Sequence, residues 1–139
     1  MGLLLDKAII FAVNAHRGQL RKGSNAPYIL HPMEAAAIVA AMTDDEEVIA
    51  AAVLHDTVED TAVTLDEICE QFGNRVAELV AAESENKRED KPAASTWKIR
   101  KEETIERLKT APKEVKMLTL GDKLSNIRSI CRDYEAQGD

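Results

Sequence analysis

Aromatic side chains are scarce in this 139-residue chain: two Phe, two Tyr and one Trp, 4% of the total. Alanine and leucine must fill the core instead, which favours helices over strands. Cysteine is scarcer, with only Cys69 and Cys131 and no Cys-x-x-Cys pair. Two cysteines build no disulfide framework, so a reducing, cytoplasmic setting is expected. Long apolar runs are missing too. The opening "MGLLLDKAIIFAVNAHRG" is broken by Asp6 and Lys7, with no basic leader and no small-residue cleavage site. No stretch approaches the roughly 20 apolar residues of a membrane span. Positive charge is in deficit, and the net charge of −7 argues against a nucleic-acid backbone or an anionic membrane as main partner. A small anionic ligand remains open, because it needs only a local cationic patch or a metal. The mix of 45% apolar and 31% charged residues is that of a globular chain, so disorder throughout is not expected. The length fits one domain, residues 1–139, long enough for a real core without staples.

What is present reads as helix. Leu4, Leu5, Ala8, Ile9, Ala12 and Val13 recur at helical spacing and predict a helix over 3–17, ended by Gly18. "RKGSNAPY" is a polar loop. "HPMEAAAIVAAM" follows, with Pro32 suited to a first helical turn. "TDDEEVIAAAVLHD" is a second alanine-rich helix, with Thr43 or Asp44 as its N-cap. Thr64 caps a short helix ending near Gly73, "NRVAELVAAESE" is another, and Glu85 to Ser95 reads as a solvated loop. A helix is expected over 97–109, anchored by Trp97, and Pro112 opens a last long one whose apolar stripe is Leu120, Leu124, Ile127 and Cys131. No alternating strand pattern reaches useful length. The expectation is an all-α bundle of about seven helices.

One segment contradicts itself. "VIAAAVLHDTVEDT" starts as apolar as a core helix and then packs His55, Asp56, Glu59 and Asp60 into six residues. In a helix, His55 and Glu59 are four apart, and so are Asp56 and Asp60, so they form one polar strip opposite Ala51, Leu54 and Val58. Four titratable groups this close repel and shift one another, and a divalent cation resolves the conflict. A solvated, acidic helix end is the bland alternative. His31 before Pro32, and Asp122 inside an apolar helix, tip the balance. His31, His55, Asp56 and Asp122 offer two nitrogens and two oxygens, a set that suits Mn²⁺, Fe²⁺ or Zn²⁺ with positions left for water. Glu59, one turn beyond His55, can act on that water as general base, and Asp60 can share the task. Arg21, Lys22, Arg100 and Lys101 are the cations available for a polyphosphate, although a solvated helix face is an equal alternative for the last two.

The order His … His-Asp … Asp on helices resembles the HD metal-dependent phosphohydrolases. "AHRGQLRK", "PYILHP", "AAVLHDTVEDT", "FGNRVAELV", "RK" at 100–101 and "LGDKLSNIRS" narrow the likeness to the hydrolase domain of RelA/SpoT-type proteins and to small alarmone hydrolases similar to the metazoan SpoT homolog. The resemblance implies a Mn²⁺-dependent hydrolase that removes the 3′-pyrophosphate of (p)ppGpp, giving GDP or GTP plus pyrophosphate. It implies His31, His55, Asp56 and Asp122 as metal ligands and Glu59 with Asp60 as the catalytic acidic pair. Arg21 and Lys22 would border the nucleotide, and Asn126 would contact the nucleoside. His16 is expected at a helix end rather than on the metal. Two features depart from the family's pattern. Gly121 stands where alanine is usual, and a mid-helix glycine costs about 1 kcal/mol, so a loosened backbone at Asp122 is expected. The chain stops at "RDYEAQGD", where the resemblance implies a further helical stretch, so a shortened domain, or a homo-oligomer in which a neighbour supplies the helix, is an open expectation. Two other readings stand beside the first: the same metal site acting on NADPH or another nucleotide phosphate, and a non-catalytic alarmone-binding module.

Overall fold

The computed structural model describes residues 3–21, 25–88, 109 and 111–136. These residues contain six helices: α1 (Leu3–Ala15), α2 (Leu30–Ala40), α3 (Glu46–Asp60), α4 (Leu65–Phe72), α5 (Asn74–Arg88) and α6 (Lys113–Ala136). The all-α expectation holds, with six helices described rather than about seven. Lys109 apart, the helix expected over 97–109 lies outside the described residues, as do Lys22, Trp97, Arg100 and Lys101. The only β pairing described is an isolated antiparallel bridge between Leu20 and Pro27.

Helix α3 is the axis of the bundle. It packs against α1, α2, α5 and α6, and every residue from Val48 to Thr57 is buried. Ala50, Ala51 and Ala52 keep the axis thin enough for neighbours on several sides at once, since interhelical distance follows side-chain size. The expected division of α3 into an apolar side and an opposite polar strip therefore needs correction. His55 and Asp56 are as buried as Leu54, and only the last turn, with half-buried Glu59 and exposed Asp60, reaches outward.

The helix ends follow local chemistry, adjusted by tertiary contacts. The N-cap of α3 is Asp45, not Thr43 or Asp44. Its carboxylate accepts from the Glu47 N–H at 3.1 Å, while Thr43 Oγ1 accepts from the Asp45 N–H. Arg75 on α5 decides among these neighbours by bonding both Asp45, at 2.8 Å, and Glu47, at 2.9 Å. Its hydrogen bond and charge hold the Asp45 carboxyl below the usual range. Thr64 caps α4 as expected. Gly73 closes it at φ 98°, a backbone region that glycine enters at little cost. Helix α5 runs on to Arg88, so Glu85–Arg88 belong to a helix and not to the expected loop. No Gly or Pro stands between Asn74 and Arg88 to stop it.

Helix α6 corrects two expectations. Its inward face is Val115, Leu118, Asp122, Ser125 and Ser129, spaced by three and four. Leu120 and Ile127 of the expected stripe are 46% and 53% exposed, and Cys131 is exposed too. The inward positions go to polar groups because those groups have partners there. The helix runs unbroken through Gly121. A Cβ at this position would meet the Ala35 carbonyl oxygen and Val39 Cγ2, each at 2.9 Å. The glycine lets α6 lie against α2 and brings Asp122 to His31.

Candidate metal centre

Three helices carry the site. His31 is the second residue of α2, His55 and Asp56 lie in the penultimate turn of α3, and Asp122 sits mid-way along α6. All four are buried, none more than 4% exposed. The structure brings together the predicted ligand set.

Hydrogen bonds fix the tautomers of both imidazoles. His55 Nδ1 lies 2.7 Å from the Ala52 carbonyl oxygen, which can only accept, so Nδ1 carries the proton. His31 Nδ1 lies 2.9 Å from Ser125 Oγ, and that hydroxyl donates its own hydrogen to Glu34 Oε1 at 2.7 Å. His31 Nδ1 is thus a donor as well. In the neutral form each imidazole then carries its lone pair on Nε2, the form in which it binds metals. Both face Asp122 Oδ1, at 2.9 Å from His31 and 3.1 Å from His55. Asp56 lies 3.4 Å and 3.3 Å from the same two nitrogens. Lone pairs and carboxylates converging in a buried space repel unless a cation lies among them. The four donor atoms fall within 4.8 Å of one another, and two nitrogens with two oxygens suit a first-row divalent ion. The cluster fits a divalent-metal site.

Next to the cluster stands Tyr28. Its hydroxyl lies 2.9 Å from Asp56 Oδ2 and 2.9 Å from Asp60 Oδ2. Burial first, and then these two carboxylates, push its ionisation far above the ordinary phenol range. As a neutral phenol it is a donor toward these carboxylates. Glu59 follows His55 by one turn of α3, and Asp60 ends the helix.

Two cavities adjoin the site. One, of about 530 Å³, is lined by His31, Glu34, Ser125, Ser129, Arg21 and Arg132, with Ala26, Leu30 and Met33. The other, of about 460 Å³, is lined by Gln19, Leu20, Arg21, Tyr28 and Asp60. Arg21 borders both. Asn126 is half-buried and lines neither; Ser125 and Ser129 line the wall from α6 instead. These serines stand three and seven residues after Asp122, a same-face spacing that offered a signal. Arg132, 3.6 Å from Glu34, was also missed, and no sequence signal set it apart from other exposed arginines. His16 lies at the end of α1, away from the ligand cluster, as expected.

Comparison with known proteins agrees with this geometry. The family profile described as "HD domain" matches residues 8–138. A Brucella melitensis protein named GTP pyrophosphokinase rsh is 38% identical over 129 residues, covering 91% of this chain and 17% of its own length. An Aquifex aeolicus protein named guanosine-3′,5′-bis(diphosphate) 3′-pyrophosphohydrolase is also 38% identical over 129 residues, covering 91% of this chain and 18% of its own. The chain thus spans about a sixth of such curated relatives. A solved structure described as a metazoan ortholog of SpoT that hydrolyzes ppGpp superposes with a TM-score of 0.73 at 32% identity, over 92% of this chain and 70% of that one. A profile match over nearly the whole length, on a fold that buries two histidines and two aspartates together, places the chain in the HD-domain family.

Proposed function

We propose that this chain is a metal-dependent phosphohydrolase that removes the 3′-pyrophosphate of (p)ppGpp, releasing GDP or GTP and pyrophosphate. The observation that carries this reading is the buried His31, His55, Asp56 and Asp122 set, with both Nε2 lone pairs turned inward and the acidic end of α3 opening beside it. The named activities of the Aquifex aeolicus relative and of the metazoan structure support the choice of substrate.

In this proposal His31, His55, Asp56 and Asp122 hold Mn²⁺, with Fe²⁺ or Zn²⁺ compatible with the same donors. When bound, the ion supplies charge stabilisation at a phosphoryl oxygen and a water of lowered pKa. Glu59 takes the proton of the attacking water. Asp60 orients that water from the end of α3. Arg21, between the two cavities, pairs with the phosphates as a fork of donors. Lys22, Arg100 and Lys101 remain proposed phosphate partners from their sequence positions, and Asn126 a proposed nucleoside contact. A reducing cytoplasm, where nucleotides are abundant, is the proposed compartment. Residues 1–139 act as the HD unit, with a small nucleotide as partner.

The test incubates metal-reconstituted protein with ppGpp, NADPH and simple nucleotides, with and without EDTA. Pyrophosphate released from ppGpp only with metal is the expected result. Turnover of NADPH alone would replace the substrate. Tight ppGpp binding without turnover would make the chain a binding module.

A further inference from the structure

Asp60 presents a problem. It is the last residue of α3 and it is exposed, yet its proposed task requires one fixed orientation. An exposed carboxylate at a helix end otherwise samples several rotamers.

Two connections tie it down. Tyr28 Oη, 2.9 Å from Asp60 Oδ2, is also 2.9 Å from Asp56 Oδ2. The one phenol hydrogen is shared between these two acceptors, so a single hydroxyl stands between the exposed acid and a buried member of the cluster. The second connection runs to the Asp60 backbone, where Gln19 Nε2 donates to the carbonyl oxygen at 2.9 Å. This fixes the sense of the Gln19 amide, and its Oε1 is left to accept from His16 Nδ1 at 2.6 Å. His16 is thereby held as the Nδ1–H tautomer. Its Nε2 is buried without a hydrogen-bond partner among the described residues. Folded proteins rarely leave such an atom unmatched.

His16, Gln19 and Tyr28 brace one another. The Tyr28 N–H donates to the Gln19 carbonyl at 2.9 Å, and the Arg21 N–H donates to Ala26 at 3.0 Å. Around the Leu20–Pro27 bridge this pairing sets Gln19 opposite Tyr28 and Arg21 on the same face, two residues on. The Tyr28 ring lies between His16, centroids 5.0 Å apart, and His31, 5.9 Å apart. A ring that merely filled space would have no reason to place its hydroxyl between two carboxylates.

We propose that Tyr28 is a positioning residue that locks Asp60 to Asp56, braced by Gln19 and His16. The proposal rests on the hydrolase reading above and names what holds its acidic end in place.

The test uses Tyr28→Phe, which keeps the ring contacts and removes only the hydroxyl, alone and combined with Asp60→Asn, in the full chain. At saturating Mn²⁺, Tyr28→Phe should lower kcat for ppGpp about ten- to a hundredfold with KM within about threefold. In the double variant the loss should equal that of Asp60→Asn alone, because residues acting as one unit do not add. Mn²⁺ binding followed by electron paramagnetic resonance, without substrate, should weaken about tenfold as Asp56 loses its partner. A kcat within twofold of wild type, or losses that multiply in the double variant, would overturn the link to Asp60. Unchanged Mn²⁺ affinity would overturn the link to Asp56. Full turnover by Asp60→Asn itself would sink both the proposal and the role of Asp60, whereas loss there with an intact Tyr28→Phe sinks the proposal alone.

Discussion

Asp122 is the residue on which the centre turns, since both imidazole Nε2 atoms face one of its oxygens. Asp122→Ala should leave protein that no longer retains stoichiometric Mn²⁺ by elemental analysis after desalting, and retained metal would remove Asp122 from the ligand set. Glu59→Gln should behave differently: metal kept, turnover lowered about 10²–10⁴-fold, the usual range for losing a positioned base. Tyr28 allows a test by pH. A phenol whose ionisation is pushed upward in the folded state contributes stability that is full below the unfolded value, about 10, and is lost as pH rises beyond it. Alkaline difference absorbance near pH 10 should therefore have the same amplitude in wild type and Tyr28→Phe while both remain folded. A larger wild-type amplitude would mean that Tyr28 ionises normally. The four clustered residues were legible in the sequence because histidine is informative when few: the chain has three, of which His55 adjoins Asp56 and His31 opens an apolar helix. Tyr28 was not legible, because its partners lie 28 and 32 residues away and nothing local distinguishes it from a packing tyrosine.

At the scale of the element, helix existence was readable and helix ends were less so. Periodicity marked α1, α2 and α3, and Thr64 and Pro112 marked two starts. Thr43, Asp44 and Asp45 are three cap-competent residues in a row, and the choice of Asp45 depends on Arg75 from α5. Asp45→Ala should cost about 1 kcal/mol in urea unfolding, and Asp45→Asn less, because asparagine also caps. The depressed Asp45 ionisation contributes stability above the unfolded value, about 3.9, and loses it as pH falls below that. The small difference between wild type and Asp45→Asn should therefore shrink on acidification below pH ~4. A gap that widened instead would contradict the Arg75 contact. Gly121 could be judged only from its neighbour. Alanine gains about 1 kcal/mol in propensity, but its Cβ would press on the α2 backbone at Ala35. Gly121→Ala should thus lower Tm and weaken Mn²⁺ binding, since α2 carries His31 and α6 carries Asp122. A raised Tm would show that the helices have room.

Across the whole molecule, one buried helix explains both the fold and the site. The alanines of α3 let four helices reach it, and two of them, α2 and α6, bring His31 and Asp122 to the cluster. The apolar stripe expected on α6 was misread for the same reason. Leucines and isoleucines are the usual inward residues, but α6 turns Asp122 and Ser125 inward because His31 and Glu34 await them on α2. Periodicity reveals that a helix has faces; which face is buried depends on a partner that periodicity does not contain. The central claim, that this buried set serves metal-dependent release of pyrophosphate, is tested most directly by ³¹P NMR of ppGpp with Mn²⁺-loaded protein and with Asp122→Ala. The account predicts that the 3′-diphosphate signals give way to free pyrophosphate and a 5′-diphosphate nucleotide in the loaded wild type alone. Equal pyrophosphate release by the Asp122→Ala protein, or an unchanged spectrum with metal demonstrably bound to the wild type, would contradict it.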